Sequence, residues 1–153
     1  MSKPIYSTLE RSLRGNMASQ GIVFVSDRKQ ARLCALDLAN FCSANDDSGF
    51  LGVKSQQEVD KLKHEVEEFE LQETAIKQTI EFGVAFIHHG QPAAEQAWLK
   101  QLYKRGVIRV LVATSDLCWS LGDATGDIVI IQDPERYNAN AKRYRELPII
   151  DLL

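Results

Sequence analysis

The sequence has no glycine-rich phosphate loop of the form GxxxxGK[ST], no HExxH, no nucleophile elbow and no histidine pair at a helical four-residue step. An enzyme that splits nucleoside triphosphates needs backbone amides and a lysine around the phosphates, with acidic side chains for magnesium. The stretch from Leu121 to Ala124 (Leu-Gly-Asp-Ala) lacks the lysine, so a self-sufficient P-loop hydrolase is excluded. Cysteine is scarce: Cys34, Cys42 and Cys118 are an odd number without CxxC spacing, which argues against a disulfide framework or a zinc site. Cys34 and Cys42 fall on the apolar face of one predicted helix, where cysteine acts as a small core residue. His88 and His89 are adjacent, so at a strand end they point to opposite faces and do not share one metal. No apolar run approaches the roughly 20 residues of a membrane helix. The segment from Met1 to Leu13 lacks the grammar of a signal peptide, so an intracellular protein without membrane contact is expected. Positive charge is not in excess either: the formal net charge is -3, so no global basic field would gather nucleic acid and any such contact must be local.

What is present reads as one α/β domain. A chain of 153 residues, 44% apolar and 25% charged, is long enough to bury about two-thirds of its unfolded surface. Gly21-Ile-Val-Phe-Val-Ser26 is a β-branched run bounded by turn formers, the mark of a strand buried on both faces. Ser26 and Asp27 are cap residues for a helix whose Ala31, Cys34, Ala35, Leu38, Phe41 and Cys42 recur at helical spacing. The turn-rich stretch from Ser43 to Gly52 is predicted as a surface loop. From Gln56 to Glu81 two apolar stripes slip in phase near Leu71, which predicts two helices, with the charges from Lys61 to Glu73 forming a solvated face. Val84-Ala-Phe-Ile-His88 is a second strand. Pro92 opens the next helix, carrying Ala94, Ala97, Trp98 and Leu102, and Gly106 ends it. Val107 to Ala113 and Asp127 to Ile131 are predicted as further strands. Alternation of strands with helices predicts an open parallel sheet with helices on both faces. The working edge of such a sheet lies beyond the carboxyl ends of its strands. Three places follow: Ser26 to Arg28, His88 to Gly90, and Thr114 to Asp123. Trp119, in the third, could stack on a base, but packing is the simpler reading.

Those places form an ordered set. Phe24-Val-Ser-Asp-Arg28 with Lys29 and Arg32 to Asp37, then His88-His-Gly90, then Val112-Ala-Thr-Ser-Asp-Leu-Cys-Trp119, then Ile128 to Ile131 and Pro148-Ile-Ile-Asp-Leu152, resemble the second RecA-like lobe of superfamily-two DExH RNA helicases. Ser2-Lys-Pro-Ile-Tyr6, Arg28-Lys-Gln-Ala-Arg-Leu33 and Leu117-Cys-Trp119 are most similar to the large two-cassette helicases of the spliceosome, and closer to their C-terminal cassette. The likeness covers nearly the whole chain, with 1–20 as a lead-in and 21–153 as the lobe.

The resemblance implies specific roles. Ser26, Arg28, His89, Gly90, Thr114 and Ser115 would lie along the RNA backbone, and Gly122 with Asp123 would couple RNA to ATP held between two lobes. ATP and magnesium would belong to the intact parent only. The QxxGRxGR motif that completes an ATP site in the family is absent, and the chain reaches Leu153 where that motif would begin. The expected parent is a nuclear, ATP-dependent RNA helicase, with small nuclear RNA, the first RecA-like lobe, the neighbouring cassette and splicing proteins as partners, while this chain alone is inactive. The loop after Trp119 departs from the family pattern, with Ser120 in place of a glycine and Gly126-Asp127 in place of a histidine neighbourhood. That drift fits a poorly hydrolysing regulatory cassette, or an inert pseudo-helicase scaffold that docks splicing proteins.

Overall fold

The apolar runs between the predicted helices assemble into a parallel sheet. A computed structural model describes residues 3–13, 19–45, 49–52, 55–117 and 126–132. Among these, the strands are β1 (Gly21–Val25), β2 (Val84–Ile87), β3 (Val110–Thr114) and β4 (Ile128–Ile131), in the spatial order β2-β3-β1-β4. All their pairings are parallel. Every residue of β1, β2 and β3 is buried, as expected of strands covered on both faces. The register sets Val25 beside Thr114 and Ile87 beside Ala113, so the strands finish at nearly one level. From adjacent β1 and β3 the chain departs in opposite lateral directions, to β2 and to β4, which is the condition for a crevice at the strand ends.

Five α-helices surround the sheet among the described residues: α1 (Lys3–Leu13), α2 (Arg28–Ala44), α3 (Gln56–Glu68), α4 (Ile76–Thr79), continued by a 3-10 turn at Ile80–Phe82, and α5 (Ala93–Lys104). Asp27 caps α2 by accepting the Gln30 amide at 2.9 Å, and Ser55 caps α3 by accepting that of Glu58 at 3.2 Å. Along α2, Ala31, Cys34, Ala35, Leu38 and Cys42 are buried at the predicted spacing. This α/β arrangement is RecA-like. No helix among the described residues is long and apolar enough to cross a membrane.

Several expectations need correction. The lead-in carries α1, whose Ile5, Tyr6, Leu9 and Leu13 join the core. The loop predicted at Ser43 to Gly52 is not all surface: α2 runs to Ala44, Phe50 is buried and Leu51 bridges Ile108. The third strand starts at Val110 instead of Val107, because Val107 accepts the Gly52 amide and Ile108 pairs with Leu51 before the chain enters the sheet. On α5 the inward face is Glu95, Leu99, Leu102 and Tyr103, whereas Ala94 and Ala97 face outward. Leucine and tyrosine remove far more apolar area from water than alanine, so they set the helix rotation. Lys61, Lys63, Glu67 and Glu68 are exposed as predicted, but Glu73 is not on that face.

The amino edge of the sheet is tied by polar groups. Arg109, 4% exposed, donates from Nε to the Ser19 carbonyl at 2.9 Å and from its other end to the Leu13 carbonyl, closing the C-terminus of α1. Burial pulls the Arg109 guanidinium below its ordinary pKa, and the nearby charge of Asp127 works against that. Asp127 accepts the Gln20 amide at 2.8 Å, and the Gln20 side chain donates to the carbonyls of Tyr103 and Ile108. Asp127 therefore braces the start of β4, about 13 Å from the carboxyl ends at the usual strand rise.

Gly83 ends the 3-10 turn with φ 76°, and a Cβ there would come within 2.0 Å of the Phe50 backbone. Gly106 has φ 78° with nothing within 4 Å of a Cβ. Gly106→Ala is expected to cost about 1–2 kcal/mol from backbone conformation alone. Gly83→Ala should cost clearly more because backbone must move. Equal urea midpoints for the two variants would refute the close approach.

Candidate functional site at the carboxyl ends of the strands

The shared level of β1, β2 and β3 brings three loops together. Ser26, Asp27, Arg28, His88, His89, Gly90, Thr114 and Asp116 line one open depression of about 210 Å³. Arg28 is the first residue of α2 and exposed, and no carboxylate among the described residues pairs with it. Thr114 ends β3 and is 4% exposed, and its hydroxyl finds no hydrogen-bond partner among the described residues. An unsatisfied buried hydroxyl costs about 1–3 kcal/mol, so it is a group held ready for a ligand or a water. Two carboxylates balance the guanidinium: Asp27 is engaged in capping, and Asp116 Oδ2 meets His89 Nε2 at 2.9 Å, both side chains being largely exposed.

His88 is buried and His89 exposed, and both border the depression. The His88 ring lies 6.1 Å from that of Phe86, and both its nitrogens are engaged. Nδ1 accepts the Gly90 amide at 2.9 Å, and Nε2 meets Glu73 Oε1 at 2.9 Å. Glu73 in turn takes two bonds from Arg32, Nη2 to Oε1 at 2.7 Å and Nε to Oε2 at 3.2 Å, a bidentate pair. Burial alone would raise the Glu73 carboxyl. The bonds from Arg32 and His88 and the charge of Arg32 outweigh it and hold the group below the usual glutamate range. Gln91 closes the turn, its side chain accepting the His88 amide at 2.9 Å and donating to the Phe86 carbonyl at 3.0 Å. Glycine at position 90 leaves room for its neighbours: a Cβ would sit 3.0 Å from the His88 ring and 3.1 Å from the Arg28 guanidinium, so both would have to give by a few tenths of an ångström.

Of the residues singled out in the sequence, Ser26, Arg28, His89, Gly90 and Thr114 line the same depression. Ser115 sits differently: it is fully buried and its hydroxyl donates to the Val25 carbonyl at 3.0 Å, locking β3 to β1. Gly122, Asp123, Cys118, Trp119 and Ser120 lie outside the described residues, as does Pro148 to Leu152. Glu73 was missed because it closes a run of surface charges. Its only signal was position, in the break between two helical stripes.

Two measurements test this geometry. Thr114→Val, which removes the orphaned hydroxyl, is expected to stabilise the chain by about 1 kcal/mol in urea unfolding; a lower midpoint would mean that the hydroxyl is bonded. Glu73 has a depressed carboxyl, so its contribution is full above the usual glutamate range and is lost as pH falls through the folded value. The stability difference between wild type and Glu73→Gln should therefore shrink on acidification. A gap that stays constant down to strongly acidic pH would contradict the pairing.

Comparison with known proteins finds relatives of this sequence over its whole length. No family model matches the chain. The U5 small nuclear ribonucleoprotein 200 kDa helicase of Drosophila melanogaster is 33% identical over 153 residues, covering 100% of this chain and 7% of that protein. Its Homo sapiens counterpart is 32% identical over 154 residues, again 100% of this chain and 7% of the relative. The Pre-mRNA-splicing factor brr2 of Schizosaccharomyces pombe is 31% identical over 153 residues, 100% of this chain and 6% of the relative. The chain thus spans less than a tenth of the length of these relatives. Over its whole length this chain is homologous to one segment of these large helicases.

Proposed function

We propose that this chain acts as the second RecA-like lobe of a spliceosomal RNA helicase, holding RNA backbone phosphates in the strand-end depression. The observation that carries this is the convergence of an exposed guanidinium, a glycine turn and an orphaned buried threonine hydroxyl from three loops into one depression. Arg28 would supply charge, Thr114 and Ser26 hydroxyl donors, and Gly90 a place where backbone can approach a phosphate closely. Such contacts position RNA without choosing its sequence. With Asp27 and Asp116 beside a single arginine, affinity in the isolated chain is weak, and a first lobe would complete the channel. The helicase relatives support ATP and magnesium dependence in the parent. The described residues do not fit that group alone, since they offer no glycine-rich phosphate cradle, and coupling through Gly122 and Asp123 is part of the proposal. The parent would be nuclear and would contact small nuclear RNA and splicing proteins. The drift at Ser120 and Gly126-Asp127 favours the regulatory C-terminal cassette.

Titration of fluorescent single-stranded RNA at low and moderate salt tests the site. Binding is expected to weaken with salt and to be insensitive to RNA sequence. Arg28→Ala should lower affinity for all sequences and flatten the log–log salt slope by about 0.7, the value for one phosphate contact on a single strand. Thr114→Ala should weaken binding as well. Binding unaffected by both substitutions would move the RNA elsewhere on the chain.

A further inference from the structure

We propose that Glu73, braced by Arg32, is a positioning residue: it fixes one tautomer of His88 and thereby holds shut the turn that presents Gly90 to the depression. A backbone amide can only donate, so the 2.9 Å bond from the Gly90 amide requires Nδ1 of His88 to be unprotonated. The single imidazole proton must then reside on Nε2, where it points at Glu73 Oε1, 2.9 Å away. Were the proton on Nδ1, two donors would confront each other at Gly90 and a bare nitrogen would confront a carboxylate. Both ends of the ring would be wrong at once. Glu73 thus selects the tautomer that the turn needs. Arg32 occupies both oxygens of Glu73 and keeps the carboxylate ionised and in place. The chain of contacts runs from Arg32 on α2, through Glu73 before α4, to His88 after β2 and Gly90 in the depression, where the Arg28 guanidinium lies 3.1 Å from the place a Cβ on Gly90 would take. α2 therefore reaches the turn twice, through Arg28 at its first residue and through Arg32 one helical turn later.

The effect on RNA rests on the phosphate reading above, whereas the tautomer and the closure of the turn do not. Nitrogen-15 spectra of the 153-residue chain should show His88 as a single tautomer with a bare Nδ1 and a protonated Nε2, and the Gly90 amide should resist hydrogen exchange. In Glu73→Leu the tautomers should mix and Gly90 exchange should rise roughly two- to tenfold, the ratio set by one hydrogen bond. Glu73→Gln, which retains an acceptor for Nε2, should restore much of the wild-type pattern. Arg32→Ala alters a half-exposed side chain and decides the matter if Glu73→Leu does not fold, and it should shift both readouts in the same direction. RNA affinity should fall with Glu73→Leu or Arg32→Ala in proportion to the loss of Gly90 protection. An unchanged tautomer and unchanged Gly90 exchange in these variants would overturn the proposal, as would mixed tautomers with a fully protected Gly90. Failure of the wild type to bind RNA would instead sink the phosphate reading and leave the spectra to decide the positioning.

Discussion

In-register parallel pairing of β1, β2 and β3 is the constraint on which the site depends. It sets Val25, Thr114 and the residue after Ile87 at one level, so three loops distant in sequence open onto the same edge. A slip of one residue in any pair would turn each side chain of that strand to the other face and dissolve the grouping. Full burial of the three strands holds the register, because any slip would cost core contacts on both faces. The Ser115 hydroxyl, bonded to the Val25 carbonyl, pins the last step of that register next to the depression.

The two edges of the sheet handle polar groups in opposite ways. At the amino edge, Arg109 and Gln20 satisfy the carbonyls of Leu13, Ser19, Tyr103 and Ile108 while Asp127 accepts the Gln20 amide, leaving a closed and braced end. At the carboxyl edge the Thr114 hydroxyl is left without a hydrogen-bond partner and Arg28 without a direct ion pair among the described residues. Buried polar groups are normally paired, so this asymmetry is the observation on which the proposed phosphate site at the carboxyl edge rests. Asp127 makes its contact at the far end of the strand and does not line the depression.

The charge around the depression explains why the chain would be a contributing lobe. One guanidinium flanked by two carboxylates gives little net attraction for a polyanion, in keeping with a net charge of -3. What the depression offers is placement: a fixed turn, an available hydroxyl and an arginine at the start of a 17-residue helix. The His88–Glu73–Arg32 chain holds that placement from beneath, using groups buried or half-buried below the turn.

By itself the sequence determined the strands, the cap at Asp27, the buried face of α2 and the three loops at the working edge. Each of these is written in local periodicity or in short turn chemistry, which depends on neighbours along the chain. It also carried the resemblance to the large spliceosomal helicases, which homology over the full length of this chain bears out, while lobe and cassette stay part of the proposal. Tertiary structure alone decided the rest. The rotation of α5 onto Leu99 and Tyr103, the docking of α1, the burial of Phe50 and the late start of β3 follow from which surfaces are available to pack against. Glu73 is the clearest case: a charged residue at the end of a charged run reads as solvated, and only the approach of Arg32, 41 positions earlier, and of His88 makes it a part-buried acceptor. A carboxylate is paid for its lost hydration only by partners that the fold delivers from elsewhere in the chain, and no local pattern records which they will be.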